Sequence, residues 1–269
     1  MTPETIQEVW GFLDRDALAR IARRGPTPLF ATISGAHLYG FASADSDVDL
    51  RGAFVLPADD LLGLFPAEET LSIDAEEPMT EGGAPLELDW VAHDIRKFCR
   101  MLTAHNGYAL EQLFSPLVVI GGPLFDELRE LAKGCITRPT VRHYYGFARG
   151  RRKRLTEPDP TVKHLLYAYR VYLSGIHLML TGQVEANLET LASEFALPHV
   201  DELIARKRQG TEFMALDTAE LATHDAHLSE LEKRLTDAHG QSGLPEEPQG
   251  VPSLNAFVLR ARRELGAPA

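Results

Sequence analysis

Residues 29–56, LFATISGAHLYGFASADSDVDLRGAFVL, constrain this chain more than any other stretch. Phe30, Ala31, Thr32 and Ile33 form a short apolar, partly β-branched run that stops at the turn signal Ser34-Gly35. A short helix is expected over residues 36–41. Asp47-Val48-Asp49-Leu50 then alternates polar and apolar residues, as a strand does with one face on a core. Residues i and i+2 of a strand point the same way, so Asp47 and Asp49 project from one side. Like charges held close repel each other unless a cation sits between them. A hard divalent ion with oxygen ligands, Mg²⁺ above all, is the natural occupant. Asp45, Asp47 and Asp49 also imitate the start of a calcium loop. That loop needs glycine at its sixth position and a carboxylate at its twelfth, where this chain has Leu50 and Leu56.

A chain of 269 residues builds one large domain or two modest ones. Its apolar content of 44% beside 25% charged residues is that of an ordinary globular protein. No apolar run approaches the length of a membrane span, and MTPETIQEVW lacks the basic and apolar character of a signal peptide, so a cytoplasmic location is expected. Cys99 and Cys135 make neither a disulfide framework nor a metal cluster and read as reduced thiols. A formal net charge of −12 opposes non-specific binding to long duplexes, because phosphate contacts supply most of such affinity. It favours a nucleotide, a small molecule or an RNA end.

Along the chain, apolar spacing predicts a helix over residues 3–23, ended by Gly25-Pro26. The second strand runs into Pro57, and a short helix is expected over 59–64. Residues 66–85, acidic and rich in glycine and proline, read as a loop or hairpin connection. The third strand is expected over 86–91, with Glu87 and Asp89 on one face and Leu86, Leu88 and Trp90 on the other. A helix starting at His93 or Asp94, another over 108–114 and an apolar strand over 117–120 lead to a boundary at Gly121-Gly122-Pro123. Beyond it the pattern is helical: 124–133, 140–155, 161–181, 185–195, 199–208, 211–239 and 252–265.

Gly35-Ala36, ten intervening residues and Asp47-Val48-Asp49-Leu50 resemble the nucleotidyltransferase signature of the DNA polymerase β superfamily. The longer run SGAHLYGFASADSDVDLRG is similar to one branch of it, the predicted nucleotidyltransferases linked to RNA repair operons (RlaP-like). The likeness continues in HDIRKF, NGYALEQLF and KHLLYAYR. It implies an α/β catalytic domain with a mixed sheet over residues 1–121, then an all-helical domain over 122–269 closing the nucleotide and acceptor cleft. It also implies transfer of a nucleoside monophosphate from an NTP to an acceptor hydroxyl, with release of pyrophosphate. By the same resemblance Asp47, Asp49 and Asp89 hold two Mg²⁺ ions, with Mn²⁺ able to stand in, and Glu87 is the fallback for Asp89. Ser34 and the amides of Gly35 and Ala36 are to cradle the β- and γ-phosphates. Ala36 departs from the family, which has serine there. The missing hydrogen bond to a charged group is worth about 1.5–3 kcal/mol.

Further residues read two ways. Lys163, Tyr167 and Arg170 fall on one helix face, a stripe that suits a triphosphate and a base or, equally, a core tyrosine with a basic rim. Arg149, Arg151, Arg152, Lys153 and Arg154 either guide an RNA phosphate or offset an acidic surface. His37 either touches phosphate or is a packed or solvent-facing histidine, and His224 and His227 read as a solvated helix face rather than a zinc site. The acceptor expected from the resemblance is an RNA end. The rival readings are nucleotidylation of a protein or small molecule, and a nucleotide-binding regulator with weak catalysis.

Overall fold

The computed structural model describes residues 1–62, 64–78, 85–210 and 214–266. In chain order these form α1 (Pro3–Phe12), α2 (Arg15–Ala22), β1 (Pro28–Ile33), α3 (Gly35–Tyr39), β2 (Val48–Phe54), α4 (Asp59–Leu62), β3 (Thr70–Pro78) and β4 (Pro85–Asp94). Then come α5 (Ile95–Thr103), α6 (Gly107–Phe114), β5 (Val118–Ile120), α7 (Pro123–Lys133) and a 3₁₀ turn (Arg138–Thr140). The chain ends with α8 (Val141–Leu155), α9 (Val162–Thr181), α10 (Leu188–Glu194), α11 (Pro198–Gln209), α12 (Thr218–Gln241) and α13 (Val251–Leu265). No helix among the described residues is long and apolar enough to cross a membrane.

The sheet runs β3-β4-β2-β1-β5. Its β2–β4 pair is parallel and its other pairs antiparallel, so the sheet is mixed, as expected. Local features refine the sequence reading. The helix expected over 3–23 is two, because Asp14 caps a new start: its Oδ1 accepts from the amides of Asp16 at 2.8 Å and Ala17 at 3.1 Å. The acidic connection takes the hairpin alternative: it contains a full strand, β3, which pairs antiparallel with β4 from Thr70↔His93 to Pro78↔Pro85. The residues between those strands, 79–84, lie outside the described ones, as do 211–213 at the expected start of the 211–239 helix. That helix begins at Thr218, after a capping box of Asp217 and Glu220.

The contacts divide the chain differently from a single boundary after residue 121. One compact unit comprises Pro3–Gly35, Asp47–Ile136 and Glu247–Ala269; the other comprises Met1–Thr2, Ala36–Ser46 and Thr137–Glu246. Helix α7 packs on β1 and on α13, which keeps both helices with the sheet. In that unit Phe30 stacks on Phe125 at 5.1 Å and meets Phe98 edge-on at 5.2 Å. Asp94, fully buried, caps α5 through the Arg96 amide and takes a two-pronged ion pair from Arg262 of α13, 2.7 and 3.1 Å long.

The other unit is built around α9, against which α8, α10, α11 and α12 pack. Thr161 caps α9, and Gly182, at φ +70°, ends it in the left-handed conformation that glycine adopts without strain. The segment between the glycine turn and Asp47 belongs to this unit. Asn187 Nδ2 donates to the Leu38 carbonyl at 3.2 Å, Arg208 to the Gly40 carbonyl at 2.6 Å, and buried Lys207 to Ser43 Oγ at 2.6 Å.

Candidate active site

Parallel pairing sets Val48 against Leu88, Asp49 against Asp89 and Leu50 against Trp90. Val48, Leu50, Leu88 and Trp90 are buried on one face of the sheet, so the pleat sends Asp49 and Asp89 side by side to the other. Arg51, two residues after Asp49, shares their face. Its Nη2 donates to Asp49 Oδ1 at 2.6 Å and to Asp89 Oδ2 at 2.8 Å. Its Nε donates to the Tyr108 hydroxyl at 2.7 Å, and its Nη1 to the carbonyls of Leu50 at 2.8 Å and Asp89 at 2.6 Å. Burial opposes the charge on Arg51, but Tyr108, Asp49 and Asp89 outweigh it and hold the guanidinium more firmly protonated than usual.

The glycine turn closes on the same carboxylate. The Ser34 amide donates to the Asp49 carbonyl at 2.8 Å. Gly35 has φ +59°, and a Cβ built there would lie 1.7 Å from Asp49 Oδ2. Only glycine fits both demands. Ser34 is buried, and its Oγ makes no hydrogen bond among the described residues. Ala36 is buried one residue into α3.

Asp47 is exposed, one residue before β2 begins. With Asp74, Glu76, Glu87 and Asp89 it lines a groove of about 480 Å³. Glu87 sits one pleat before Asp89, opposite Glu76, and Asp74 lies opposite Asp89. Among the described residues five carboxylates and no basic side chain line this groove, which makes it electronegative. Hard divalent ions take oxygen donors, and the donor chemistry here fits. Asp49 Oδ1 and Asp89 Oδ2 converge on one positive centre, the Arg51 Nη2. No three histidine, cysteine or carboxylate side chains among the described residues close on one point, so the fit rests on the Asp49–Asp89 pair.

In the helical unit Tyr167 and Arg170 come together, with two residues that the sequence reading did not place beside them. Arg170, buried, stacks on the Tyr39 ring at 4.0 Å, and Arg151 stacks on Tyr167 at 4.6 Å. The Tyr39 and Tyr167 rings meet edge-on at 5.6 Å. Lys163 is half-buried a turn earlier on α9. His164 is held below its ordinary value by burial first, then by Arg154, Arg151 and Lys163, which marks a local concentration of positive charge. The basic cluster on α8 divides. Arg152 pairs with Asp225 and Glu232 of α12, and Arg154 with Glu157. Arg149 and Lys153 are exposed.

The histidines pack more than their sequence context suggests. His224 is buried, not solvated: the Tyr169 hydroxyl bonds to its Nδ1 at 2.8 Å and to His227 Nδ1 at 3.3 Å. His37 is also buried, and burial pushes it down to about 4, against a smaller upward pull from the Ser46 backbone. Its neutral form is therefore the folded form. The associated stability is complete above the unfolded value near 6.5 and is lost as pH falls from there to about 4, for a total of about 3 kcal/mol. Thermal unfolding across that window should fall more steeply for the wild type than for His37→Gln; parallel curves would contradict the assignment.

A mixed sheet that sets a glycine turn against paired carboxylates on neighbouring parallel strands is the architecture of polymerase β-type nucleotidyltransferases. Residues 13–260 match RlaP, the RNA repair pathway DNA polymerase beta family, and the chain belongs to that family. It is also similar to the uncharacterized protein MJ0002 of Methanocaldococcus jannaschii, at 26% identity over 239 residues that cover 86% of this chain and 93% of that protein.

Proposed function

We propose that the protein transfers a nucleoside monophosphate from an NTP to a hydroxyl at an RNA end, with pyrophosphate as the leaving group. The observation that carries this reading is the convergence of Asp49 Oδ1 and Asp89 Oδ2 on a single positive centre beside the glycine turn. Asp47, Asp49 and Asp89 would hold Mg²⁺, or Mn²⁺ in its place, and such ions neutralise charge on the attacking and leaving oxygens of an in-line displacement. Asp89 accepts or orients the proton of the acceptor hydroxyl. Ser34, with its buried Oγ, and the amides of Gly35 and Ala36 receive the β- and γ-phosphates. On the helical unit taken by itself, Lys163, Tyr167 and Arg170 are the residues suited to a nucleotide's phosphates and base, in the field that depresses His164. Arg149 and Lys153, exposed on α8, are the first residues to meet an RNA phosphate, with Arg151 behind them on Tyr167 and with Arg152 and Arg154 already paired.

A protein or small-molecule acceptor is the second reading, and the acidic groove favours it. Five carboxylates line that groove and would repel a polyanion while attracting a cationic acceptor. Incubation of the protein and Mg²⁺ with labelled NTPs and separate pools of RNA, protein and metabolites distinguishes the readings. Label on RNA supports the first, label in another pool the second, and NTP bound but unconverted identifies a regulator.

The turn itself offers a graded test. Ala36→Ser should tighten NTP binding by up to about tenfold if the added hydroxyl reaches a phosphate. Calorimetry showing the wild-type dissociation constant would mean that the triphosphate does not meet the turn at that residue.

A further inference from the structure

Arg51 stands at the place where the two-carboxylate arrangement calls for a cation, and nothing in the reaction above assigns it a role. A guanidinium has five N–H donors in a fixed plane. In this chain all five are used: one on Tyr108, two on the carbonyls of Leu50 and Asp89, and two on the carboxylates of Asp49 and Asp89. The first three bonds fix the guanidinium to the scaffold whether or not the carboxylates are present. The last two spend a permanent positive charge on the oxygens that converge on one point. Without it, side-by-side register would leave Asp49 and Asp89 repelling each other.

We propose that Arg51 is the resident counter-ion of this site: it holds the Asp49 and Asp89 carboxylates together until a divalent ion enters, and it competes with that ion for Asp49 Oδ1 and Asp89 Oδ2. Arg51 is a positioning residue, acting on the nucleotide only through the carboxylates. The inference rests on the nucleotidyltransferase reading for the identity of the entering ion, and on the geometry alone for the competition. The charge of Asp47, Asp49, Asp89 and Arg51 together is −2 in place of −3, so the site attracts a divalent ion less strongly than three bare carboxylates would.

Mn²⁺ binding to the full chain, followed by the loss of its free electron-resonance signal, tests the inference. Arg51→Gln should bind Mn²⁺ at least about tenfold more tightly than the wild type. Its thermal midpoint without the ion should fall below the wild type's and rise further than the wild type's when Mn²⁺ is added. A purely structural arginine would lower the midpoint and leave ion affinity unchanged. Adding Asp49→Asn to Arg51→Gln should remove the gained affinity, which places the ion at this pair. Should Arg51→Gln not fold, Arg51→Lys keeps the charge with fewer donors, and its affinity should fall between the two. Equal or weaker Mn²⁺ binding by the Arg51 variants overturns the role of Arg51 and leaves the proposed reaction standing. Absence of Mn²⁺ binding in wild type and variants alike overturns the inference together with the cation half of the proposed function.

Discussion

Asp49→Asn should lower the rate of nucleotidyl transfer by about a thousandfold or more, a barrier increase of about 4 kcal/mol. The amide keeps the shape of the side chain but removes the negative charge that a divalent ion needs, and the lost charge stabilisation is several kcal/mol in such sites. Asp47→Asn should act in the same direction. The two differ in stability. Asp47 is exposed and makes no hydrogen bond to Arg51, so its replacement should leave the fold unchanged. Two bare carboxylates would gain stability from losing one charge, but Arg51 already sits between Asp49 and Asp89. Asp49→Asn therefore loses a charged hydrogen bond and should cost up to about 2 kcal/mol, as read from denaturant midpoints. Transfer at the wild-type rate by either variant, measured on folded protein, would remove the assignment.

Gly35→Ala should abolish transfer and destabilise the sheet-bearing unit by about 3 kcal/mol, from two causes. The backbone at φ +59° is the left-handed conformation, which costs an L-residue about 1–2 kcal/mol. The new Cβ would also stand 1.7 Å from Asp49 Oδ2 and 2.6 Å from its Cγ, so the carboxylate must leave its place beside Asp89. Adding Asp49→Ala to Gly35→Ala removes the closest atoms. The double variant should recover part of the stability, because the backbone cost stays, and none of the activity. A Gly35→Ala protein with wild-type transfer would show that the turn and the carboxylate do not act together.

Much of this arrangement is legible in the sequence because it depends on short-range patterns. The apolar run Phe30–Ile33 closing at Ser34-Gly35, and the alternation from Asp47 to Leu50, specify a strand, a turn and a second strand. The alternation of Leu86, Leu88 and Trp90 with Glu87 and Asp89 likewise puts both carboxylates on the half-exposed face of β4. The register that brings Asp89 to Asp49 is another matter. It joins parallel strands through β3 and its connections, and no local pattern encodes it.

Arg51 was within reach of the same period-2 argument, since it continues the face of Asp47 and Asp49. Its significance appears only when Tyr108, 57 positions away, and Asp89 supply the rest of its partners. Strand β3 carries an alternation of its own in Leu71, Ile73 and Ala75, hidden by an acidic outer face that resembles a solvated loop. The grouping of residues 36–46 with the helices could not be read locally. It follows from bonds to Asn187, Lys207 and Arg208, 149 to 168 positions further on. For the same reason the basic cluster looked uniform in sequence: the partners of Arg152 lie on α12, 73 to 80 positions away.

The most direct measurement of the central claim follows the two ends of the triphosphate separately. Wild type and Asp49→Asn are each incubated with Mg²⁺, an RNA with a free terminal hydroxyl, and an NTP labelled at either the α- or the γ-phosphorus. Nucleotidyl transfer predicts that the α-label enters RNA and the γ-label leaves as pyrophosphate, both only with the wild type. The γ-label on the acceptor, or α-label incorporation that Asp49→Asn leaves undiminished, would contradict the account.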